Sequence, residues 1–517
     1  MRRASYLISG AVLAATVAGA PLARANSRFP ESNQLVFSKE DPDLVLLRVT
    51  FGLLVSHDRG KTFGWVCEQS IGFSGIEDPM YTVTPSKAIV GSTFQGVTIS
   101  RDNACGWSFA GGDLENQVFI DLTTNPHDAK NIVVFASSYD KQDDAGNILF
   151  SSRIWETKDE ARTFQQLGQA FDPALLGYTL DLTSSDPDRI YVTAVRSPGT
   201  APQGVLLVSK DHGQTWTEES VPLIDGERAV FIAAVDPTNS ERVYLRTSNS
   251  VDKPTRLILR EAEPDGGVPT QRTLHRASGA LMGFALTPDG SKVFIGGPKD
   301  GVKVASTQDY AFTQKANIET QCLAYNDGVL WACSNERSGF IAGRSTDDGA
   351  TFEPTLRFCD IGGPLTSCGP GTPTNDRCVP NWPAQKALIG CGRLDTGAGD
   401  GGLGDAGGTS HPPPSGSKGC DCQASPAGTA MGAFVTIVGA ALGIVRRARR
   451  RTAAATSAPP RPPSCRSGWP ATGGRSPRSP PGRRRRRAAR GARRPRRRRR
   501  SARHRRGWHR VSAPRDR

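Results

Sequence analysis

Short apolar runs, each bounded by turn residues, recur along residues 33–358. Seven of them follow a Pro or Gly turn. Asp41-Pro42 precedes residues 44–49, Thr84-Pro85 precedes 88–90, Asn125-Pro126 precedes 132–135 and Asp186-Pro187 precedes 190–195. Asp236-Pro237 precedes 243–245, Pro288-Asp289-Gly290 precedes 293–295, and Asn326-Asp327-Gly328 precedes 329–331. Runs of this length with this punctuation predict β-strands. After each comes a further apolar run and then a polar turn.

That polar turn has its own pattern. Residues 205–208 are apolar and lead into Ser209-Lys210-Asp211-His212-Gly213-Gln214-Thr215-Trp216. An Asp at this place accepts turn amides, Gly213 takes a positive φ freely, and Trp216 covers the hairpin. Full copies stand at residues 56–63, with Asp58 and Gly60, and at 345–352, with Asp347 and Gly349. Weaker copies hold Asp159 (157–164) and Asp102 (100–107). Repeat five keeps only the decayed stretch 261–266, and repeat six only Thr307-Gln308-Asp309. The sites fall near 58, 102, 159, 211, 263, 309 and 347, a blade-sized period.

These turns resemble the Asp-box (BNR) repeats of sialidases, sortilin-type receptors and xyloglucan hydrolases. The resemblance implies an all-β β-propeller; the seven repeats over residues 33–358 set it at seven blades, with six as the alternative count. It also implies that each box is a structural turn between the third and fourth strands of a blade, away from the active face. Asp58, Gly60, Asp102, Asp159, Asp211, Gly213, Trp216, Asp347 and Gly349 are therefore assigned to structure. His57 and His212, the variable residues inside boxes, read as turn residues at solvent. Repeats one and seven each supply four strands of their own, so no strand is spare for a latch.

Charge changes the picture only at the end. The chain carries +15, but residues 446–517 hold 28 Arg and one acid, a net +27, so residues 1–445 carry −12. No basic nucleic-acid face follows for the folded part. Residues 1–25, with Arg2, Arg3, an apolar stretch and Ala23-Arg24-Ala25, predict a cleaved signal peptide. The propeller is assigned to 26–358, a Cys-rich closure segment to 359–392, and a Gly/Pro/Ser linker to 393–419. Gly419-Cys420-Asp421-Cys422, an uncharged stretch at 427–445 and an Arg cluster ending at Arg451 follow. That order is similar to the MYXO-CTERM sorting signals of myxobacterial surface proteins. It implies processing near Cys420 or Cys422 by a sorting protease, a transmembrane helix through 427–445, and attachment to the cell envelope. A single-span anchor is the alternative. Residues 452–517 predict a disordered Arg/Pro tail, either a polyanion-binding segment or the product of an unselected reading frame.

Eight of the eleven Cys lie in the body: Cys67, Cys105, Cys322, Cys333, Cys359, Cys368, Cys378 and Cys391. An even number in an exported chain predicts disulfides. Counting outward from the Asp327-Gly328 turn sets Cys322 opposite Cys333. The span from Cys359 to Cys391 has few strand signals and predicts a disulfide-tied plug at the junction of blades one and seven, with Trp382 and Leu388 as its apolar contacts. Its four Cys allow three connectivities among themselves.

No cofactor or metal site is expected. Asp140, Asp143 and Asp144 lack a calcium-loop spacing and read as a solvated acidic loop. Sialidase chemistry needs an Arg cluster, a Tyr-Glu nucleophile and an Asp acid/base; Ser27-Arg28-Phe29-Pro30 only approximates the family's Arg-Ile-Pro marker, and Tyr178 and Tyr244 fall on strands. The sequence thus predicts an exported, envelope-anchored propeller that binds a glycan, peptide or surface protein at the face opposite the boxes. A sialidase-like glycoside hydrolase is the alternative.

Overall fold

The computed structural model describes residues 29–391, apart from 74–76, 199–200, 225, 250–252 and 263–266. The signal segment, linker, Cys420, Cys422, residues 427–445, the tail and most of the decayed fifth box lie outside the described residues. No described helix is long and apolar enough to cross a membrane.

Seven four-stranded antiparallel sheets form a seven-bladed propeller. The blades span residues 32–67, 81–109, 119–167, 175–221, 229–277, 283–316 and 320–356. Every sheet is built from four strands consecutive in sequence, so no blade borrows a strand from the other end of the chain. The runs that follow the Pro and Gly turns are the second strands, buried along most of their length: Val45–Val49, Ile89–Thr93, Ile132–Gln142, Ile190–Arg196, Arg242–Ser248, Lys292–Gly297 and Val329–Ser334. A four-stranded sheet buries neither face alone; here each packs on two neighbours. Leu35, Leu47 and Trp65 of blade one meet Trp331, Ile341 and Leu356 of blade seven in one core cluster. Ser32 Oγ completes that junction by donating to the Ser334 and Ile341 carbonyls of blade seven.

The inner strands carry a repeated irregularity. In blades one, three, four, five and seven a β-bulge falls at Asn33, Ile120, Tyr178, Ala233 and Gln321. A bulge bends and twists a strand locally, which suits strands that must converge on an axis.

The segment after blade seven departs from the expected plug. Gly362 N donates to Phe63 O (3.1 Å), Trp65 N to Gly363 O (2.7 Å) and Leu365 N to Trp65 O (3.0 Å), so this stretch runs parallel to blade one's outer strand and covers its edge. Gly64 permits the approach: a Cβ there would lie 2.7 Å from the Leu365 side chain. A helix, Pro373–Leu388, follows, with Thr372 accepting from Asn375 N at its N-cap. Trp382 packs against Trp65 at a tilt of 44°, with ring centroids 5.3 Å apart, whereas Leu388 is 48% exposed and contributes no core.

The disulfides correct the connectivity expected within that span. Only Cys359–Cys391 is internal to it; Cys378 bonds Cys67 in blade one, and Cys368 bonds Cys105 in blade two. The segment therefore straps blades one and two from outside, besides packing where blades one and seven meet. Cys322 and Cys333 are bonded across their hairpin, at opposed positions of the register.

Candidate functional site

Antiparallel order puts the first and third turns of every blade on one face of the ring, and the second turns and blade connectors on the other. The box turns lie on the first face, between third and fourth strands. In blade one Ser56 Oγ donates to Asp58 Oδ1 (2.7 Å) and accepts from Gly60 N (2.9 Å). Asp58 Oδ1 also accepts from Lys61 N and Thr62 N, and Oδ2 from Thr62 Oγ1 (2.6 Å). The bonds of the first hydroxyl and of the Thr N and Oγ1 recur around Asp159, Asp211 and Asp347. Asp102 keeps Ser100 and Gly106 as partners. Thr215 Oγ1 and the Thr215 amide hold Asp211 below the usual carboxylate range, and Thr351 does the same for Asp347. Gly60, Gly213 and Gly349 have φ of 78, 77 and 81°, and the weaker boxes place Ala104 and Ala161 at the same left-handed position with φ of 66 and 61°. Trp216 Nε1 donates to Gly213 O, and its ring meets Phe171 edge-on at 5.1 Å.

In three of the boxes the residue after the Asp reaches a neighbouring blade. His212 Nε2 lies 2.7 Å from Glu156 Oε1 of the preceding blade. This contact raises the His212 pKa and corrects the expectation of a solvent turn residue. Glu160 accepts from Ser86 N of blade two (2.8 Å), and Asp348 pairs with Lys292 of blade six (2.6 Å). The boxes thus tie blades to each other. Between blades four and five a buried ionic network does so too: Arg260, 2% exposed, forks onto Glu219 (2.6 and 2.9 Å) and reaches Glu241 (3.0 Å).

At the axis the inner strands are neighbours without a hydrogen-bond ladder between them, and side chains fill the gap. Gln34 exchanges two bonds with the Tyr81 backbone. Thr82 and Thr124 bond through their hydroxyls. Asp121 Oδ2 accepts from Leu180 N (2.9 Å) of the next blade, and Thr179 Oγ1 from Ile232 N (2.8 Å). Asp181 accepts from Leu182 N and from Thr123 Oγ1. Burial pushes Asp121 up to about 7 and Asp181 to about 6, against these donors.

The opposite face carries a hairpin of blade three whose strands run Ile132–Gln142 and Ile148–Thr157. Asp143 caps its turn, accepting from Asn147 N (2.7 Å) and Asn147 Nδ2 (2.9 Å). No group of three or more acidic, His or Cys side chains able to hold a metal occurs among the described residues. Below the hairpin, Tyr178 meets Phe231 edge-on at 5.2 Å, and the Arg246 guanidinium stacks over Phe231 at 4.9 Å. Tyr244 is fully buried, with its hydroxyl 2.9 Å from that of Tyr310. Both Tyr residues pack within or between blades.

A cavity of about 730 Å³ opens on the rim between blades two and three. It exists because blade two's outer strand is only Ser108–Phe109 before Gly111 and a short 3-10 turn end it. No sequence signal marked it, since a shortened strand becomes a groove only when a neighbouring blade walls it.

No family model matches the chain, and no curated protein matches it. Among solved structures, a GH74 enzyme of Niastella koreensis aligns at 13% identity over 62% of this chain and 65% of its own, with a TM-score of 0.29. Sqt1 of Saccharomyces cerevisiae aligns at 12% over 65% and 88%, TM-score 0.41, and YCF48 bound to D1 peptide at 11% over 63% and 80%, TM-score 0.35. The chain thus spans less than two thirds of the GH74 enzyme it aligns with.

Proposed function

We propose that this chain is an Asp-box propeller of the cell envelope that binds a partner, a glycan, peptide or surface protein, without transforming it. The observation that carries the reading is the use of the axial carboxylates. Asp121 accepts a backbone N–H of the next blade, and Asp181 holds Thr123 Oγ1 and its own strand. Asp121 and Asp181 thus spend their acceptors on holding inner strands in place. The recurrent Ser–Asp–Thr bonding of the turns supports the Asp-box assignment, in which Asp58, Asp102, Asp159, Asp211 and Asp347 are structural. The four disulfides suit an exported protein in an oxidising setting. Envelope attachment through Cys420, Cys422 and residues 427–445 rests on the sequence order there.

The test is a glycan and surface-protein binding screen of the exported protein, run beside hydrolysis assays on sialosides and β-glucans. Saturable binding without turnover is expected. Release of product above the background of heat-denatured protein removes the binding reading. Fractionation of cells should place the protein in the envelope, and mutation of Cys420 and Cys422 should change that distribution.

A further inference from the structure

We infer that the groove between blades two and three is a binding site for an acidic oligosaccharide. The inference rests on the partner-binding reading above and supplies both a place and a ligand chemistry for it. Phe109 is 41% exposed and lies across Gly72 and Gly96, whose missing side chains let its ring settle flat on the backbone. Phe164 stands on the opposite wall. Two aromatic rings facing a cleft offer apolar platforms for pyranose faces. The polar lining comprises the Ser108 hydroxyl, the Asp113 carboxylate and two guanidiniums, while the Thr163 hydroxyl is given to Asp159 Oδ2.

The guanidiniums set the charge. Arg101, an exposed residue of the lining, has Nη2 donating to Glu160 O (3.0 Å) and Ala161 O (2.8 Å). That bond pair fixes the Arg101 side chain at the seam of the two blades. Arg162 has a side chain 58% exposed at the rim, with Nη1 donating to Asp159 O (2.9 Å). The lining sets two guanidiniums against one carboxylate, Asp113, with Glu160 4.0 Å from Arg162 Nη1, so it is positive by one charge where residues 1–445 carry −12 overall. The Nε/Nη2 edge of Arg162 can fork onto a carboxylate or sulfate, and Arg101, whose Nη2 protons go to the two carbonyls, adds its charge. The cavity volume falls within the range of about 300–1,000 Å³ common to small-ligand sites. A mixed aromatic and guanidinium lining suits a chain of sugars bearing acids better than an apolar ligand.

Hydrogen–deuterium exchange by mass spectrometry on the full chain at physiological salt tests this. It resolves the groove from the Arg-rich end, whose own attraction for polyanions would confuse a bulk titration. The probes are a short oligogalacturonate, a sulfated oligosaccharide of similar length and a neutral oligoglucan. Protection at 108–114 and 161–164 with either anionic probe, and none with the neutral one, is the expected result; the two anionic arms tell carboxylate from sulfate. Arg162→Gln, at an exposed position that leaves the fold intact, should weaken that protection about tenfold or more, and Phe109→Leu, which keeps apolar cover on Gly72, should weaken it as well. Absence of protection at these segments, or protection unchanged in Arg162→Gln, overturns the site. Protection confined to the face opposite the boxes overturns the groove and leaves the partner-binding reading standing. New reducing ends from the oligosaccharide overturn that reading, while the protection map still decides the groove.

Discussion

Removing the Cys67–Cys378 bond should destabilise the ring by an amount the chain path predicts. Both Cys are fully buried and separated by 311 residues. Cys105–Cys368 is nested inside that span, so with it intact the broken bond frees only the 38 residues from Cys67 to Cys105 and the 10 from Cys368 to Cys378. Closing a loop of this size corresponds to about 4 kcal/mol in the chain-entropy model. The Cys322–Cys333 bond closes 11 residues and corresponds to about 3 kcal/mol on the same scale. A Cys67→Ala, Cys378→Ala double variant avoids a free thiol and a buried hydroxyl. Unfolding entropy near 2.1 cal/mol/K per residue makes 4 kcal/mol a fall in Tm of roughly 5 °C for a domain of this length. Differential scanning calorimetry of the full chain, with mass spectrometry confirming the three remaining bonds, reads it. Losing Cys67–Cys378 and Cys105–Cys368 together should exceed the sum of a local hairpin bond and either one alone. A double variant that melts within a degree of the parent, with the other bonds intact, refutes the strap as a stabilising element. So does a larger loss from Cys322→Ala, Cys333→Ala.

Three further outcomes follow from the same geometry. Truncation after Phe358 removes the edge cover of Trp65, the Trp382 contact and three bonds, so its Tm should fall below that of the double variant; an equal Tm would mean the helix adds nothing. Asp211→Ala should lower Tm, because four donors of one turn lose their acceptor, yet leave partner binding unchanged; a variant that melts normally and fails to bind would reassign the boxes. Asp121 has a folded pKa raised from 3.8 to about 7 by burial, so the native state holds more protons than the unfolded chain in that window and stability falls as pH rises through it. His212, also raised, by Glu156, contributes stability below its ordinary 6.5 that is lost as pH rises through its folded value. Urea midpoints across pH 4–8 should decline more gently in Asp121→Asn and in His212→Ala; parallel curves would dismiss both assignments.

Local chemistry determined the repeating unit of this protein. A Ser, an Asp two residues on, a small residue able to take positive φ and a Thr specify one turn wherever they occur, because all the partners lie within a few residues. The spacing of those turns, with apolar runs between them, then leaves room for seven four-stranded sheets and no spare strand. Cys322 and Cys333 were legible for the same reason: a two-residue turn dictates what faces what. The helix Pro373–Leu388 was not, since Pro380 and Pro383 lie inside it and each removes a helical donor; it is held by the Cys378 bond and the Trp65–Trp382 contact, which come from the far end of the chain. The partners of Cys67 and Cys105 lie 311 and 263 residues away, a distance over which no spacing rule acts. Asp121, Asp181, His212 and Arg260 carry no sequence mark, because what each does depends on which backbone amide or carboxylate the neighbouring blade brings beside it. The rim groove likewise required two blades to be set side by side. Ring closure decided these features, since only a closed ring places each blade's unpaired edges and charges against the next.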